Sequence, residues 1–412
     1  MSGRPLAEWL EFIERQHPKA IALGLDRVRE VLGRLDAAPR CPVFTVGGTN
    51  GKGSTCAMLE AILRAAGCRA GLYSSPHLRR YNERVRLGGR EASDDALAEA
   101  FAAVERARSG VPLTYFEFGT LAAAWFFARE KPDALVLEVG LGGRLDAVNA
   151  FDADCAVLTS VGIDHVEFLG PTREDIGREK AGIFRTGKPA VVAEPDPPRS
   201  VLAATAQLLL LGRDFGYVPQ DAQWAYWGPG ARRPGLAHPA LRGAIQLRNA
   251  AAALAALDAM RARFPVGMQE VRQGLAEVSL PGRFQVLPGR PRVVLDVAHN
   301  PEAASVLAQN LAASGYSPQT IAVFGMLRDK DIAGVVRAVA PRIGRWHLAT
   351  LPGPRGAAAS ELSQVLRREK VDAPASEHTD VSQALAAARR EAGDDDKIVV
   401  FGSFLTVAGA HG

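Results

Sequence analysis

Short apolar runs alternate with longer segments of helical character through the first half of the chain. Five runs are predicted to be buried strands: 43–46, 70–73, 133–140, 155–160 and 188–193. Between and before them, apolar spacing and capping signals predict helices at 5–16, 25–35, 54–66, 93–108, 118–130 and 171–185. The stretch 113–117 shows neither pattern and is predicted to be irregular. Strands that alternate with helices of this length indicate a parallel sheet covered by helices.

The pattern changes after residue 193. Proline and glycine are frequent in 194–243, where Trp224, Tyr226 and Trp227 indicate short antiparallel strands. Helices are predicted at 244–264 and 267–278. Two clusters of proline and glycine in 280–291 then indicate a linker between domains.

A second alternation of strands and helices follows the linker. Strands are predicted at 292–297, 320–324, 346–349 and 397–401, and helices at 331–340, 359–368 and 381–391. Pro301 suits the first turn of a further helix, with Asn300 as its cap. We therefore predict an α/β fold: residues 1–286 form a P-loop ATP-binding domain with a mainly parallel sheet, and residues 287–412 a smaller, Rossmann-like α/β domain. No G-x-G-x-x-G motif supports a dinucleotide site in the second domain.

A glycine-rich stretch joins the first predicted strand to its helix. It contains Gly48, Thr49, Asn50, Gly51, Lys52, Gly53 and Ser54. Backbone N–H groups in such a turn can surround phosphate oxygens, a lysine can reach the outer phosphates, and a hydroxyl can bind Mg²⁺. The spacing differs from the common G-x-x-x-x-G-K-[ST] pattern, because Gly53 separates Lys52 from Ser54. The alternative is a glycine-rich turn with an exposed lysine.

Polar residues follow several predicted strands and are candidates for chemistry. Glu138 ends an apolar strand and could bind Mg²⁺, or be a surface acid. His165 and Lys180 could join it, although a histidine there can be structural and a helical lysine is usually solvated. In the second domain, Asp296 and His299 lie at the end of the first strand and could face the nucleotide across a cleft, or only cap a helix.

Two further polar residues are less specific. Arg283 could reach phosphate or be a turn arginine. Asn249 lies on a predicted helix among alanines, where it would either face solvent or hold a base.

Composition narrows the class of protein. The chain has 412 residues, 47% hydrophobic and 23% charged, as in ordinary globular proteins. A net charge of +4 gives no indication of nucleic-acid binding. The cysteines Cys41, Cys56, Cys68 and Cys155 have neither C-x-x-C nor zinc-like spacing, which favours reduced thiols and a cytoplasmic protein. Neither a signal peptide nor a run long enough to span a membrane is predicted.

Several segments together resemble one family. The phosphate loop resembles that of the Mur ligase superfamily, and the chain from about residue 20 onward is similar to bacterial dihydrofolate synthase/folylpolyglutamate synthases. The segments that carry this resemblance are 74–78 (SSPHL), 138–149 (EVGLGGRLDAVN), Asp164-His165, 178–184 (REKAGIF), 281–284 (PGRF), 296–301 (DVAHNP) and 401–404 (FGSF). The sequence differs at Val297, where many relatives have glycine, and 194–243 matches poorly.

The resemblance implies an ATP-dependent amide ligase. ATP would phosphorylate a substrate carboxylate, and the amino group of L-glutamate would attack the acyl phosphate. Mg²⁺, expected as two ions, and the loop would neutralise the transferred charge. The implied substrates are dihydropteroate, folates and L-glutamate, and the implied assembly is a monomer without nucleic acid or membrane.

The resemblance also assigns residues. It places the loop from Gly48 to Ser54 on the ATP phosphates, with Asn249, Arg283 and Asp296 as further ATP contacts. It makes Lys52, Lys180 and His299 catalytic, with Lys180 carbamylated. The implied metal ligands are Ser54, Ser75, Glu138 and His165. The implied pterin pocket comprises Thr114, Tyr115, Phe116, Glu117, Leu145, Asp146 and Ala147, with Phe116 packed on the ring.

Two alternatives stay open on the sequence alone. A cell-wall Mur ligase adds an amino acid to a UDP-linked peptide, but only residues 1–46 precede the loop, too few for a uridine-nucleotide domain. A regulatory P-loop ATPase would not need the second α/β domain with polar groups at its first strand end.

Overall fold

The computed structural model describes residues 4–19, 21–204 and 206–411, and the chain divides into two compact units. The first unit takes the chain up to Ala240 together with Gln246–Val278. The second takes Leu241–Ile245 and the chain from Ser279 onward. The predicted boundary between residues 286 and 287 lies inside a strand, Gln285–Leu287, that belongs to the sheet of the second unit.

Helices of the first unit cover its sheet or close its edges. They are α1 (Leu6–Glu14), α2 (Asp26–Leu35), α3 (Lys52–Ala65), α4 (Asp94–Arg108), α5 (Tyr115–Glu130), α6 (Val166–Leu169), α7 (Arg173–Ala181), α8 (Arg199–Leu202), α9 (Ile245–Ala259) and α10 (Met268–Glu277). Short 3-10 helices lie at Tyr81–Arg84 and Ala147–Ala150. None of the helices in the described parts of the chain is long and apolar enough to cross a membrane.

An eight-stranded sheet forms the centre of the first unit. Its strands are β1 (Val43–Gly47), β2 (Ala70–Tyr73), β3 (Val85–Leu87), β4 (Arg90–Glu91), β5 (Ala134–Glu138), β6 (Cys155–Leu158), β7 (Pro189–Val192) and β8 (Gln207–Leu210). The order is β4-β3-β2-β5-β1-β6-β7-β8, and all pairs from β2 to β8 are parallel. β1 is central and completely buried. The predicted parallel, helix-covered sheet is confirmed.

A small antiparallel sheet follows in the region that the sequence described least well. β9 (Gly216–Pro219), β10 (Gln223–Gly228) and β11 (Ala231–Ala237) pair in the order β11-β10-β9. Trp224 and Tyr226 point their side chains into the interior, where the Tyr226 hydroxyl donates to Asp258 at 2.7 Å. The short antiparallel strands predicted from these aromatic residues are confirmed.

The second unit repeats the α/β pattern around six strands. These are β12 (Gln285–Leu287), β13 (Arg292–Asp296), β14 (Thr320–Phe324), β15 (Arg345–Ala349), β16 (Ala375–His378) and β17 (Lys397–Phe401), in the order β12-β13-β17-β14-β15-β16. Only β12 pairs antiparallel. Its helices are α11 (Pro301–Ala313), α12 (Ile332–Val339), α13 (Ala359–Arg368), α14 (Val381–Glu391) and α15 (Phe404–Gly409), with a 3-10 turn at Ala340–Arg342.

Two helix starts differ from the prediction. The segment 113–117 is not irregular, because α5 begins at Tyr115: the Thr114 hydroxyl accepts from Glu117 N, and the Glu117 carboxylate accepts from Thr114 N. α3 begins at Lys52 rather than near residue 54, because Gly51 at φ +90° already occupies the position before the helix. The helix thus starts inside the glycine-rich stretch.

Candidate active site

The glycine-rich stretch forms a tight turn between β1 and α3. Gly48 has φ +148° and Gly51 has φ +90°, conformations that L side chains rarely adopt. The Lys52 ammonium folds back over the turn and donates to the carbonyl oxygens of Gly48 and Thr49, at 3.0 and 3.2 Å. The residue before α3 is Gly51, which has no side chain that could cap the helix. The turn therefore presents a helix N-terminus with positive potential, as a phosphate site requires.

The loop after β6 holds this turn in place. The Thr159 hydroxyl donates to Asn50 O at 2.7 Å, and the Ser160 hydroxyl accepts from Asn50 N at 2.9 Å. The Thr49 hydroxyl donates to Gly162 O at 3.1 Å and accepts from Gly162 N at 2.9 Å. A Cβ at Gly48 would collide with the Thr159 side chain. The turn is thus fixed on a neighbouring strand before any ligand binds.

Asn249 lies against the same turn. It is almost fully buried on α9, and its amide nitrogen donates to Gln246 Oε1 at 2.9 Å. Its amide oxygen is so close to Gly51 that a Cβ there would lie 2.6 Å away. The structure therefore brings Asn249 to the phosphate loop instead of exposing it to solvent.

Two oxygen-bearing side chains, Glu138 and Ser54, lie at the end of β5 and in the first turn of α3. Glu138 ends β5, directly beside Val46 of β1, and its carboxylate accepts from Ser75 N at 3.1 Å. Ser54 is buried in the first turn of α3. Carboxylate and hydroxyl oxygens are suitable Mg²⁺ ligands, and Mg²⁺ also takes phosphate oxygens and water. Within the described ranges, no group of three or more His, Cys, Asp or Glu side chains could hold a metal by itself.

His165 lies just past β6 in a left-handed conformation, with φ +52°. It begins the short helix α6, and its ring nitrogen Nε2 lies 3.9 Å from the Asp164 carboxylate. A non-glycine residue in this conformation is uncommon, so the backbone here is held by its surroundings. The loop that carries His165 is the one whose Gly162 bonds Thr49.

Lys180 is almost fully buried in the last turn of α7, not solvated as an ordinary helical lysine would be. The glycine segment after β5 packs against this turn: a Cβ at Gly143 would lie 2.7 Å from Glu179 O and 2.9 Å from Lys180 O. Arg144 N also donates to Glu179 O at 2.7 Å. The end of α7 is therefore tied to the loop that follows Glu138.

The predicted pterin segment at the start of α5 is largely engaged in its own structure. Thr114 and Glu117 cap the helix, and the Glu117 carboxylate also accepts from the Arg27 guanidinium at 2.7 Å. Tyr115 packs against Arg84 and Tyr81. Glu117 thus has strong partners on both oxygens within the protein.

Phe116 and Asp146 lie at the end of β5. The Phe116 ring covers Gly140, where a Cβ would lie 2.6 Å from the ring, and its centroid is 6.0 Å from that of Tyr73. Asp146 is buried and accepts from Leu141 N at 2.8 Å and Val148 N at 3.0 Å. Burial raises its pKa to about 7, against the opposing effect of these N–H groups. Leu145 O accepts from Gly24 N, and Ala147 is buried beside Asp146.

In the second unit, polar groups cluster at the end of β13. The Asp296 carboxylate accepts from Phe284 N at 2.9 Å and Ala298 N at 2.8 Å, and burial raises its pKa. The Arg283 guanidinium, which opposes that rise, lies over the Phe404 ring at 5.1 Å. His299 Nδ1 lies 2.8 Å from Val297 O. The predicted position of this cluster opposite the nucleotide stays a prediction.

Three residues with clear roles in the site were not predicted. Thr159 and Ser160 hold the phosphate loop, and Arg27 pairs with Glu117. The first two end the predicted strand 155–160, and polar residues at the end of a strand next to β1 were the available signal. Nothing in the sequence pairs Arg27 with a residue so far along the chain.

Comparison with known proteins agrees with this geometry. The family model of the Mur ligase middle domain matches residues 46–209, and that of the Mur ligase glutamate ligase domain matches residues 282–404. A curated relative from Escherichia coli K12, dihydrofolate synthase/folylpolyglutamate synthase, is 47% identical over 99% of this chain and 95% of its own length. Relatives with the same name favour the folate branch over a UDP-peptide ligase.

Solved structures of dihydrofolate synthase/folylpolyglutamate synthases are also similar to this chain. E. coli FolC in complex with DHPP and ADP has a TM-score of 0.95 and 46% identity, covering 100% of this chain and 98% of its own. A bifunctional folylpolyglutamate synthase/dihydrofolate synthase with Mn, AMPPNP and L-glutamate bound has a TM-score of 0.91, 46% identity and the same coverage.

The fold and the phosphate site define a Mur-type ligase. Within that class, the chain belongs to the dihydrofolate synthase/folylpolyglutamate synthase family. The predicted family, fold class and type of enzyme are confirmed, and nucleotide and a divalent metal ion are bound in homologous structures.

Proposed function

We propose that this chain adds L-glutamate to dihydropteroate, making dihydrofolate, and adds further glutamates to folates. ATP would supply the energy through an acyl phosphate. The observation that carries the proposal is the glycine turn before α3, which Thr159 and Ser160 hold in place. This turn lies at the carboxyl ends of the central strands, where Glu138 ends the strand next to β1. Family membership and the ligands named for homologous structures support the choice of substrates.

The first step is phosphoryl transfer. A carboxylate oxygen of the acceptor attacks the γ-phosphorus of ATP, the bond to ADP breaks, and an acyl phosphate forms. The backbone of the loop from Gly48 to Ser54 would hold the phosphates, and Lys52 would exchange its two carbonyl partners for phosphate oxygens. Asn249 would contact the nucleotide beside Gly51. Groups already fixed in place lower the cost of reaching the transition state.

Bound Mg²⁺ would supply charge neutralisation on the phosphates. We propose Glu138, Ser54, Ser75 and His165 as the residues that hold it, with two ions in the complete site. The oxygens of Glu138 and Ser54 suit this role, because Ser54 lies in the first turn of α3 and Glu138 ends the strand beside β1, which leads into that turn.

The second step forms the amide. The amino group of L-glutamate attacks the acyl carbon, the tetrahedral intermediate loses phosphate, and the amine loses a proton. We propose His299 as a catalytic residue for this step, and Arg283 and Asp296 as nucleotide contacts. Burial of Asp296 and its two N–H partners fix the carboxylate in place.

The pterin ring would bind at the start of α5 and the loop after β5. We propose that Phe116 packs on the ring, and that Thr114, Tyr115, Leu145 and Ala147 complete the pocket. Of the two acids, Asp146 is the better partner for the ring, because the Glu117 carboxylate is already paired with the Arg27 guanidinium. The hydrogen bonds to Asp146 come from neutral backbone N–H groups.

We also propose that Lys180 is carbamylated. Lys180 is almost fully buried, and the neutral form of a lysine amine can add CO₂ with loss of a proton to give a carbamate. The carbamate would bring a negative charge to the end of α7, near the proposed metal ligands. Lys180→Ala should then lower ligation sharply, and an intact-mass increase of one CO₂ per chain should disappear. Unchanged activity would remove Lys180 from the site.

The proposal extends to a cytoplasmic, monomeric enzyme that acts on small molecules without nucleic acid or membrane. Four free cysteines and a small net charge support this setting.

The direct test is ATP-dependent ligation of labelled glutamate, with dihydropteroate in one reaction and tetrahydrofolate in another, each with and without Mg²⁺. Product from both acceptors, only with Mg²⁺, is the expected result. Product from one acceptor would restrict the enzyme to a synthase or an elongase. ATP hydrolysis that ignores both acceptors, without amide product, would contradict the proposal and favour a regulatory ATPase.

A further inference from the structure

A cavity of about 240 Å³ lies in the first unit, under α5 and away from the phosphate loop. One stripe of α5 lines it, and its residues are Thr120, Ala123, Ala124, Phe127 and Ala128. Leu135 and Leu137 of β5 line the opposite wall. Ala124 and Ala128 are small, and larger side chains at these two positions would fill the space.

The cavity extends from the surface to the interior. Exposed Arg40 and Lys131 lie at one end, next to the start of β1 and β5. Buried Tyr73 and Thr120 lie at the other end, with their hydroxyl oxygens 3.3 Å apart. Substrates of a parallel α/β sheet bind at the carboxyl ends of its strands. The outer end of this cavity is at the amino ends, so a ligand could enter without passing through the active site.

The lining favours an uncharged ligand. Apart from the two exposed cations and the hydroxyls of Tyr73 and Thr120, carbon and the Cys41 thiol form the walls. Burial raises the pKa of Cys41 to about 11, so this thiol is neutral at physiological pH. The Arg40 guanidinium already lies 3.5 Å from the Asp36 carboxylate, which reduces its attraction for an anion.

The size favours one aromatic ring with a short alkyl chain. Protein interiors contain few voids larger than a water molecule, because unfilled apolar space forfeits packing contacts. An apolar cavity of about 150 Å³ stays dry and binds benzene. A cavity of about 240 Å³ with walls of the same chemistry has room for a few additional carbon atoms.

The inner end touches the wall of the proposed pterin pocket. The Tyr73 ring packs against the Phe116 ring, and the Thr120 hydroxyl donates to Phe116 O at 2.8 Å. A ligand in the cavity would contact Tyr73 and Thr120, both of which contact Phe116. It would restrict the motion of both residues, and with them the position of the Phe116 ring.

We propose that this cavity is a second binding site, for a neutral one-ring aromatic molecule, and that its occupant strengthens acceptor binding through Tyr73, Thr120 and Phe116. The effect on the acceptor rests on the proposed function, whereas binding in the cavity does not.

Propylbenzene is the probe for binding. At saturation it should raise the Tm of the full-length protein by about 1–3 °C, and calorimetry should show one site per chain. Ala124→Leu places its added carbons in the cavity and should abolish both signals. Ala276→Leu makes the same change at an exposed position of α10 and should retain them.

Absence of binding, or equal binding to the Ala124→Leu variant, would overturn the proposal. If Ala124→Leu does not fold, Ala128→Val fills less space at the same stripe and should weaken propylbenzene binding at least threefold. Unchanged affinity in that variant would equally overturn the proposal.

The effect on the acceptor is measured separately, as the Kd of dihydropteroate with and without propylbenzene. A Kd at least twofold lower with propylbenzene is the expected result. An unchanged Kd would overturn the effect on the acceptor and leave the binding site intact. Failure of dihydropteroate to bind at all would instead contradict the proposed function.

Discussion

The helices that follow β1 and β13 begin in two different ways. Each of the two strands is a buried strand in a parallel sheet that turns into a helix, α3 or α11. At α11, Asn300 accepts from Ala303 N, and the Asp296 carboxylate accepts from two further backbone N–H groups. At α3, glycines make the turn and the N-cap residue, Gly51, has no side chain to cap the helix.

The difference separates two kinds of site. The first turn of a helix has N–H groups without partners inside the helix, and a capping side chain satisfies some of them. At α11 the protein supplies that partner, so the loop offers side chains instead, His299 among them. At α3 the cap position is a glycine, and the Lys52 ammonium is held over the turn by two backbone carbonyls that phosphate oxygens could replace. We infer that the first strand end binds the nucleotide and the second acts through its side chains.

The largest expected effect comes from Lys52→Ala. The loss of the only side-chain cation within the turn should reduce kcat for ligation by about 10²–10³-fold, because charge on the transferred phosphoryl group is no longer balanced. Steady-state ligation assays measure this. The matched control is Lys370→Ala, which removes an exposed lysine of the second unit and should leave kcat unchanged. Similar losses in both variants would show that the Lys52 effect is not local.

A second prediction compares two glycines with a similar positive φ. Gly48 and Gly24 have φ +148° and +144°, but a Cβ would collide with Thr159 only at Gly48 and meets nothing within 4 Å at Gly24. Gly48→Ala should lower the free energy of unfolding by about 2–4 kcal/mol and should also lower ATP affinity. Gly24→Ala should lower the free energy of unfolding by about 1 kcal/mol, from backbone strain alone. Denaturant unfolding and nucleotide titration measure both. Equal costs would mean that Thr159 does not hold the loop.

A third prediction concerns pH. The pKa of Asp146 is raised to about 7, so between its unfolded value near 4 and about 7 the folded protein binds more protons than the unfolded chain. Its contribution to stability is therefore full below about pH 4 and is lost as the pH rises to about 7. The free energy of unfolding should fall by about 2 kcal/mol between pH 5 and 7.

Asp146→Asn removes the titrating carboxyl group, so the free energy of unfolding should change much less between about pH 5 and 7. Asp221→Asn changes an exposed carboxylate and should leave the pH dependence as it is. A slope that persists in Asp146→Asn would assign the titration to another group.

The smallest expected effect comes from Asn300→Ala. Loss of the cap on α11 should cost about 1 kcal/mol of stability and leave nucleotide affinity unchanged. Thermal unfolding and ADP titration measure the two quantities. Asp331→Ala removes the cap of α12 in the same unit and provides the comparison. A large loss of ADP affinity in Asn300→Ala would contradict the separation between the two strand ends.

The sequence predicted buried elements closely and exposed ones poorly. The strands at 70–73, 320–324 and 397–401 have the predicted bounds, because each is a continuous apolar run between breakers. β16 was not predicted, since its residues Ala375–His378 include three polar side chains and it lies at the edge of its sheet. Pairing with a neighbour, not its own pattern, makes that segment a strand.

Local rules also explain the missed helix start. Thr114 and Glu117 form a capping box that the sequence displays, yet the same residues matched a ligand-binding segment and were assigned no helix. The phosphate loop and Glu138 were predictable, because both follow from strand ends. The burial of Lys180, the contact of Asn249 with Gly51 and the pairing of Arg27 with Glu117 were not, since they depend on distant parts of the chain.

The central claim is that α3 and its loop activate the acceptor carboxylate with ATP. The most direct measurement uses dihydropteroate labelled with ¹⁸O in its carboxylate, with ATP, Mg²⁺ and L-glutamate. If an acyl phosphate forms, one labelled oxygen passes to phosphate when the amide forms, and mass spectrometry of the released phosphate detects it. Phosphate without the label, at full turnover, would contradict the account.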